Sequence, residues 1–99
     1  MKYYYKTEKG DTQELDENLK TIILPAKNIV EIIIPPSCIH LDCSRNELTE
    51  LIVPEGCETL DCYNNQLKEL IVPEGCKYLD CDLLEFIDYS NCNNLNLTM

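Results

Sequence analysis

Basic residues are scarce in this chain. Eight of its 99 residues are Lys or Arg, against 18 Asp or Glu, and the formal net charge at pH 7 is −10. Proteins that bind nucleic acid neutralise phosphates with Lys and Arg, and anionic membrane surfaces attract the same cations. The shortage argues against both kinds of partner, and a partner selected by charge is expected to be basic.

Long apolar runs are also missing. The longest β-branched cluster, Ile32 to Ile34, is bracketed by Glu31 and Pro35, whereas a membrane span needs roughly 18 apolar residues. The start of the chain, MKYYYKTEKGDTQELDEN, contains no apolar stretch of the signal-peptide type. We therefore expect no membrane segment and a cytoplasmic location, with delivery as a leaderless effector as the alternative.

The chain has a single His and no recognisable catalytic motif. Phosphate-loop, zinc-protease and serine-hydrolase signatures are all missing. We therefore predict no catalytic residue, no cofactor and no metal, and we expect a protein that is not an enzyme.

A 19-residue repeat dominates what is present. Residues 38–56, CIHLDCSRNELTELIVPEG, and residues 57–75, CETLDCYNNQLKELIVPEG, are identical at 13 of 19 positions. Residues 76–81 repeat the opening of the unit, and residues 19–37 repeat its apolar skeleton. A unit of this length cannot bury its apolar side alone, so the units are expected to stack.

The pattern within one unit predicts a strand, a bend and an irregular return. Leu60 and Cys62 alternate with polar neighbours, which is typical of a short half-buried strand. Asn46 and Asn65 fall where the chain turns away from the strand, so their amides are expected to satisfy backbone groups in the bend. The return is expected to end in a turn over residues 72–75, with Pro second and Gly fourth.

The unit C-x-x-L-x-C-x-x-N-x-L resembles the leucine-rich repeat signature, with Cys in two leucine positions. The short period and the V-P-E-G ending are similar to the shortest class of that family, best known from bacterial effector proteins. The resemblance implies a solenoid with short parallel β-strands on a concave face, an irregular or extended convex return and little or no helix. It also implies that the concave face binds other proteins.

The predicted organisation follows the repeat. Residues 1–18 are expected to form an N-terminal cap, with a β-hairpin as the candidate arrangement. About four stacked repeats occupy residues 19–97, divided as 19–37, 38–56, 57–75 and 76–91, and a partial C-terminal unit covers 92–99.

The repeated cysteines are interpreted as core residues. Free Cys behaves as a small hydrophobe and is often buried. Zinc is the alternative, but the C-x4-C spacing and the single His do not suit a tetrahedral site; disulfides and a catalytic thiol are further alternatives. The predicted columns are Cys38, Cys57 and Cys76, and Cys43, Cys62 and Cys81.

Function is expected on the strand residues that point outward. Three aspartates one repeat apart should stack into a column, and two tyrosines on neighbouring strands lie beside it. Tyr is enriched among residues that dominate interfaces. The predicted binding residues are His40, Asp42, Thr59, Asp61, Tyr63, Tyr78, Asp80 and Asp82, with Thr21, Ile23 and Ser44 also facing outward.

Two functions follow from these features. The first is a protein–protein interaction module that binds a basic partner through the acidic and tyrosine-bearing face. The second is a self-assembling repeat protein, a homodimer formed through the C-terminal edge or through a column of Ile33, Ile52 and Ile71 on the return. The sequence leaves open whether this column forms a second sheet or a contact surface.

Overall fold

A computed structural model describes residues 2–99; the predicted N-terminal cap begins at residue 1, which lies outside the described residues. These residues form a small β-solenoid of about four turns and contain no helix. Ten strands follow one another along the chain: β1 (Tyr3–Thr7), β2 (Thr12–Leu15), β3 (Thr21–Ile23), β4 (Ile29–Ile33), β5 (His40–Asp42), β6 (Thr59–Asp61), β7 (Glu69–Ile71), β8 (Tyr78–Asp80), β9 (Phe86–Asp88) and β10 (Asn96–Thr98).

One strand from each coil joins a five-stranded parallel sheet in the order β10-β8-β6-β5-β3. Equivalent residues of successive coils are paired, so that Leu41 faces Leu60 and Leu60 faces Leu79. These leucines are buried, while the residues on either side point out. We call the outward surface of this sheet the strand face.

The opposite side of the solenoid is extended, one of the two forms predicted for the return, and parts of it form strands. Strand β4 pairs with β1 in the sheet β2-β1-β4, and β7 pairs with β9 in parallel. Residues 49–53, which occupy the equivalent place in the coil between them, are not in a strand. We call the side formed by β1, β2, β4, β7, β9 and residues 49–53 the return face.

The first 18 residues contain a β-hairpin. Strands β1 and β2 are antiparallel, and Gly10 in the turn between them has a φ of 93°, a conformation that glycine adopts without strain. Strand β1 is also antiparallel to β4, with Tyr5 opposite Ile32. Tyr5 and Leu15 pack against the first coil of the core, so the hairpin covers that end of the return layer.

The turn after each return lies one residue later than predicted. The N–H of Cys76 donates to the carbonyl of Pro73 at 3.1 Å, and the N–H of Cys57 donates to the carbonyl of Pro54 at 3.1 Å. Pro is therefore first and Gly third, and neither Gly56 nor Gly75 has a positive φ. The prediction of a turn over residues 72–75 was wrong, because the apolar Val72 stays in the core and the chain turns only after it.

Candidate functional site

The three aspartates of the repeat form a row across the strand face. The sheet pairs Asp42 with Asp61 and Asp61 with Asp80, and neighbouring strands lie about 4.8 Å apart. The row borders a depression of about 420 Å³. Its lining residues are Pro25, Ala26, Asp42, Ser44, Arg45, Asp61, Tyr63 and Asp80.

Two of these carboxylates also terminate their strands. Asp42 Oδ1 accepts hydrogen bonds from Ser44 N at 3.0 Å and from Ser44 Oγ at 2.6 Å. Asp61 Oδ1 accepts one from Tyr63 N at 3.1 Å. Such local bonds are the usual reason for Asp at a turn, so part of the row serves the fold. This local role of the Asp-x-Ser and Asp-x-Tyr pairs was not predicted from the sequence.

Asp61 is the central carboxylate of the row. Partial burial raises its pKa above the ordinary value, and the charges of Asp42 and Asp80 act in the same direction. The hydrogen bond from the Tyr63 amide and the charge of Arg45 oppose this rise. The arrangement places a partly dehydrated carboxylate between two others, where an added cation would be favoured.

Arg45 lies at this site, although it was not among the predicted binding residues. Arg45 lies in the turn that follows β5 and has a φ of 57°. Its backbone N–H donates to the carbonyl of Tyr63 at 2.8 Å. Equivalent positions also have positive φ, 54° at Ala26 and 60° at Asn64. The one available signal was that a charged residue replaces a turn-forming Asn at this place in the repeat.

A second row of the strand face runs through His40, Thr59 and Tyr78, which the sheet pairs in succession. His40 Nδ1 lies 3.0 Å from Thr59 Oγ1. Tyr78 is 56 % exposed and Tyr63 is 45 % exposed. The register places Tyr78 opposite Thr59, four residues before Tyr63, or roughly 13 Å along the strand direction. The two tyrosines therefore lie on opposite sides of the acidic row.

Two predicted outward residues make hydrogen bonds within the fold. Ser44 is 7 % exposed and was wrongly assigned to the outward set, because its hydroxyl bonds back to Asp42. Asp82 lies after β8, and its two carboxylate oxygens accept from the N–H groups of Asn64 and Asn65 at 3.1 Å each. Asp82 thus satisfies two backbone donors of the previous coil.

Asn46 and Asn65 join the coils at the bends. Asn46 Oδ1 accepts from Lys27 N and Ile29 N, and its amide nitrogen donates to carbonyls of its own coil and of the coil before. Asn65 Oδ1 accepts from Leu48 N at 3.0 Å, and its Nδ2 donates to two cysteine carbonyls. These bonds keep the bends of successive coils in register.

The six repeated cysteines lie inside the solenoid, each at most 1 % exposed. Burial raises the pKa of Cys43 and of Cys57 to about 12, that of Cys81 to about 11, and that of Cys62 further. A seventh, Cys92, is half-buried at the last coil, and its Sγ donates to the carbonyl of Pro73 at 3.2 Å. Thiols this far from ionisation suit packing rather than nucleophilic chemistry.

The isoleucine column is divided between sheet and open surface. Ile33 is half-buried in β4, opposite Tyr4 of the hairpin, and Ile71 lies in β7. Ile52 lies outside any strand. Ile52 is 82 % exposed and Ile71 is 65 % exposed, so the middle of the column remains on the surface.

Residues 2–99 contain neither a cluster of metal ligands nor a membrane-spanning helix. No group of three or more His, Cys, Asp or Glu side chains there is arranged to hold a metal ion. No helix of this part of the chain is long and apolar enough to cross a membrane.

Comparison of the chain with protein-family models, curated proteins and solved structures finds no match.

Proposed function

We propose that this chain is a non-enzymatic binding module that takes up a Lys- or Arg-bearing segment of a partner protein on its strand face. We infer that its solenoid is of the leucine-rich repeat type, with the strand face as the concave surface. The in-register parallel strands, the Cys and Leu columns and the bend asparagines support that assignment.

The observation that carries the proposal is the position of Asp61. A fold that needed only a strand terminator there could use Asn, whose side-chain oxygen accepts the same hydrogen bond. The chain instead holds a partly dehydrated carboxylate between Asp42 and Asp80. The side chain of Asp80 makes no hydrogen bond within residues 2–99, unlike those of Asp42 and Asp61, so its carboxylate oxygens are free to accept from an ammonium or guanidinium group.

The tyrosines give the same surface its apolar contacts. Tyr63 lines the depression beside Asp61, and Tyr78 lies at the other end of the strands. Tyr and Arg are enriched among residues that dominate interface energies, and an aromatic ring attracts a neighbouring cation by roughly 0.5–1 kcal/mol at an exposed site. A basic segment crossing the strands would meet carboxylates in the middle and a phenol at each side.

The test is selection of binders from a random peptide library displayed on phage. The wild-type protein is expected to enrich Lys- and Arg-containing peptides. The double variant Asp61→Asn/Asp80→Asn is expected to bind the selected peptides about tenfold or more weakly than wild type. Asp11→Asn, an exposed substitution in the hairpin turn, is the matched control and should bind as wild type. Enrichment of peptides without basic residues, or equal binding by the double variant, would remove the proposal.

A second candidate, self-association, is favoured by one observation. Strand β10 pairs only with β8, so its other edge presents unpaired backbone groups, and Leu97 is half-exposed although its partner Leu79 is buried. Open edges of this kind template pairing with another chain. Light scattering at about 100 µM protein tests it, because an 11.4 kDa monomer and a dimer differ twofold in mass.

A further inference from the structure

The return face has an unpaired segment at its centre. Residues 49–53 make no backbone hydrogen bond to any other residue of the described chain. Strand β4 on one side pairs only with β1, and strand β7 on the other side pairs only with β9. The return layer is therefore interrupted between two sheets, and the backbone groups of residues 49–53 lack partners within the described chain.

A groove of about 500 Å³ follows this interruption between residues 50–55 and β7. Ile52 and Ile71, one on each wall, are the most exposed aliphatic side chains that line it. Single exposed hydrophobic residues are ordinary, but two facing each other across an open groove mark a contact surface. The groove is separate from the acidic row, which lies on the opposite side of the solenoid.

The rim of this groove is acidic. Glu50 and Glu55 lie on one wall, Glu69 and Glu74 lie on the other, and no Lys or Arg of the described chain lines it. The two ion pairs found within residues 2–99 join Lys2 to Glu14 and Lys77 to Glu58, so none of the four rim carboxylates belongs to one. Two copies of such a rim would repel each other, which disfavours a second copy of this chain as the occupant.

We propose that the groove binds an extended segment of a partner protein in which aliphatic residues alternate with Lys or Arg. An extended chain turns successive side chains to opposite sides, so it can set aliphatic side chains against Ile52 and Ile71 while its cations reach the glutamates. Its backbone would lie along the outside of the groove, because Gln66 N donates to the carbonyl of Leu48 at 2.8 Å and so holds the two walls together at one end.

The probe is a blocked ten-residue peptide of alternating lysine and valine, labelled for fluorescence anisotropy. A peptide of alternating lysine and serine carries the same charge without the apolar contacts. The first is expected to bind at least about tenfold more tightly than the second, because each valine buries apolar surface that serine lacks. Equal binding of the two peptides would show charge attraction alone and would overturn the proposal.

Variants locate the binding. The variants Ile52→Asp and Glu69→Lys/Glu74→Lys are each expected to lower the affinity for the lysine–valine peptide by about tenfold or more. Leu83→Asp, at an exposed aliphatic residue after β8, and Glu14→Lys/Glu17→Lys, in and after β2, are the matched controls and should bind within about twofold of wild type. Circular dichroism on every variant checks that the fold is kept.

Two outcomes would assign the surface differently. Loss of the peptide on Asp61→Lys, with full binding by Ile52→Asp, would place it on the strand face and overturn the proposal for the return groove. A dimer that dissociates on Ile52→Asp, together with no peptide binding by wild type, would identify a second copy as the occupant and also overturn it.

Discussion

The side-chain oxygen of Asn46 lies 3.0 Å from the backbone nitrogen of Ile29, which belongs to the preceding coil. The same oxygen accepts from Lys27 N at 3.0 Å, and the amide nitrogen donates to the carbonyls of Leu24, Cys43 and Ser44. One buried side chain therefore satisfies backbone groups of two coils at once.

Asn46→Ala is expected to lower the free energy of unfolding by about 2–4 kcal/mol. The substitution leaves buried backbone donors and acceptors without partners, and each such group costs roughly 1–3 kcal/mol. Urea denaturation followed by circular dichroism measures the change. Asn93→Ala, at an exposed position, is the control and should stay within about 0.5 kcal/mol of wild type; similar losses in both variants would contradict the role of Asn46.

Ala26 and Asn64 occupy equivalent places in their coils with φ values of 54° and 60°. This left-handed region is costly for most residues with a Cβ but is tolerated by Asn. Ala26→Asn is therefore expected to stabilise the protein by about 0.5–1 kcal/mol, and Asn64→Ala to destabilise it by a similar amount. Thermal unfolding of the two variants provides the comparison, and a shift in the same direction for both would rule out this explanation.

Asp61→Asn is expected to raise stability at pH 7 while it lowers affinity for a basic partner. The folded-state pKa of Asp61 is raised, so ionisation of this group costs stability, and the gain from Asn is present at pH 7 and fades as the pH falls towards 3.8. The gain should be about 0.5 kcal/mol or less, because solvent screens this partly exposed group. Thermal unfolding at pH 7 and pH 4 checks the sign, and a lower midpoint at pH 7 would contradict it.

The buried thiols predict loss of stability in alkaline solution. The pKa of Cys43 rises from 9.0 to about 12 on folding, so its contribution is complete below pH 9 and is lost as the pH rises through 12. Above pH 9 each such thiol lowers the free energy of unfolding by roughly 1.4 kcal/mol per pH unit. Denaturation under reducing conditions from pH 8 to pH 11 should show a smaller slope for Cys43→Ala than for wild type; identical slopes would exclude the thiol as the cause.

Cys92 is expected to be the first thiol of the native protein to react with iodoacetamide. It is half-buried, whereas the other six cysteines are each at most 1 % exposed, and reactivity requires access as well as thiolate. Mass spectrometry of the native protein should show one adduct, and Cys92→Ser should show none on the same time scale. Early modification of Cys62 would mean that the core is open.

The sequence was sufficient for the repetitive part of the fold. Period-2 alternation around Leu60 and the 19-residue spacing determine a strand and its stacking, because only stacked units bury the leucine and cysteine columns. The asparagine at the bend was predictable for the same reason, since a turning chain leaves buried backbone groups to satisfy.

The remaining features depend on contacts between coils that the repeat does not encode. Residues 50–52 and 69–71 have the same sequence, yet only the second segment forms a strand, because β9 lies beside it to pair. Asp82 was placed with the binding residues, since its spacing alone does not reveal that Asn64 and Asn65 need an acceptor. At the acidic row, the pattern indicated the column but not the local bonds that shape it.

Because successive repeats stack in register, the protein can gain a repeat while the existing ones keep their structure. Strands β5, β6 and β8 of successive units pair in the sheet, and residues 19 apart face each other across them. An in-frame tandem duplication of residues 57–75 would therefore insert a complete layer, with its own aspartate and isoleucine, without altering any existing turn. The number of repeats would then set the length of the strand face and of the return face. Each added repeat would lengthen both by the same amount.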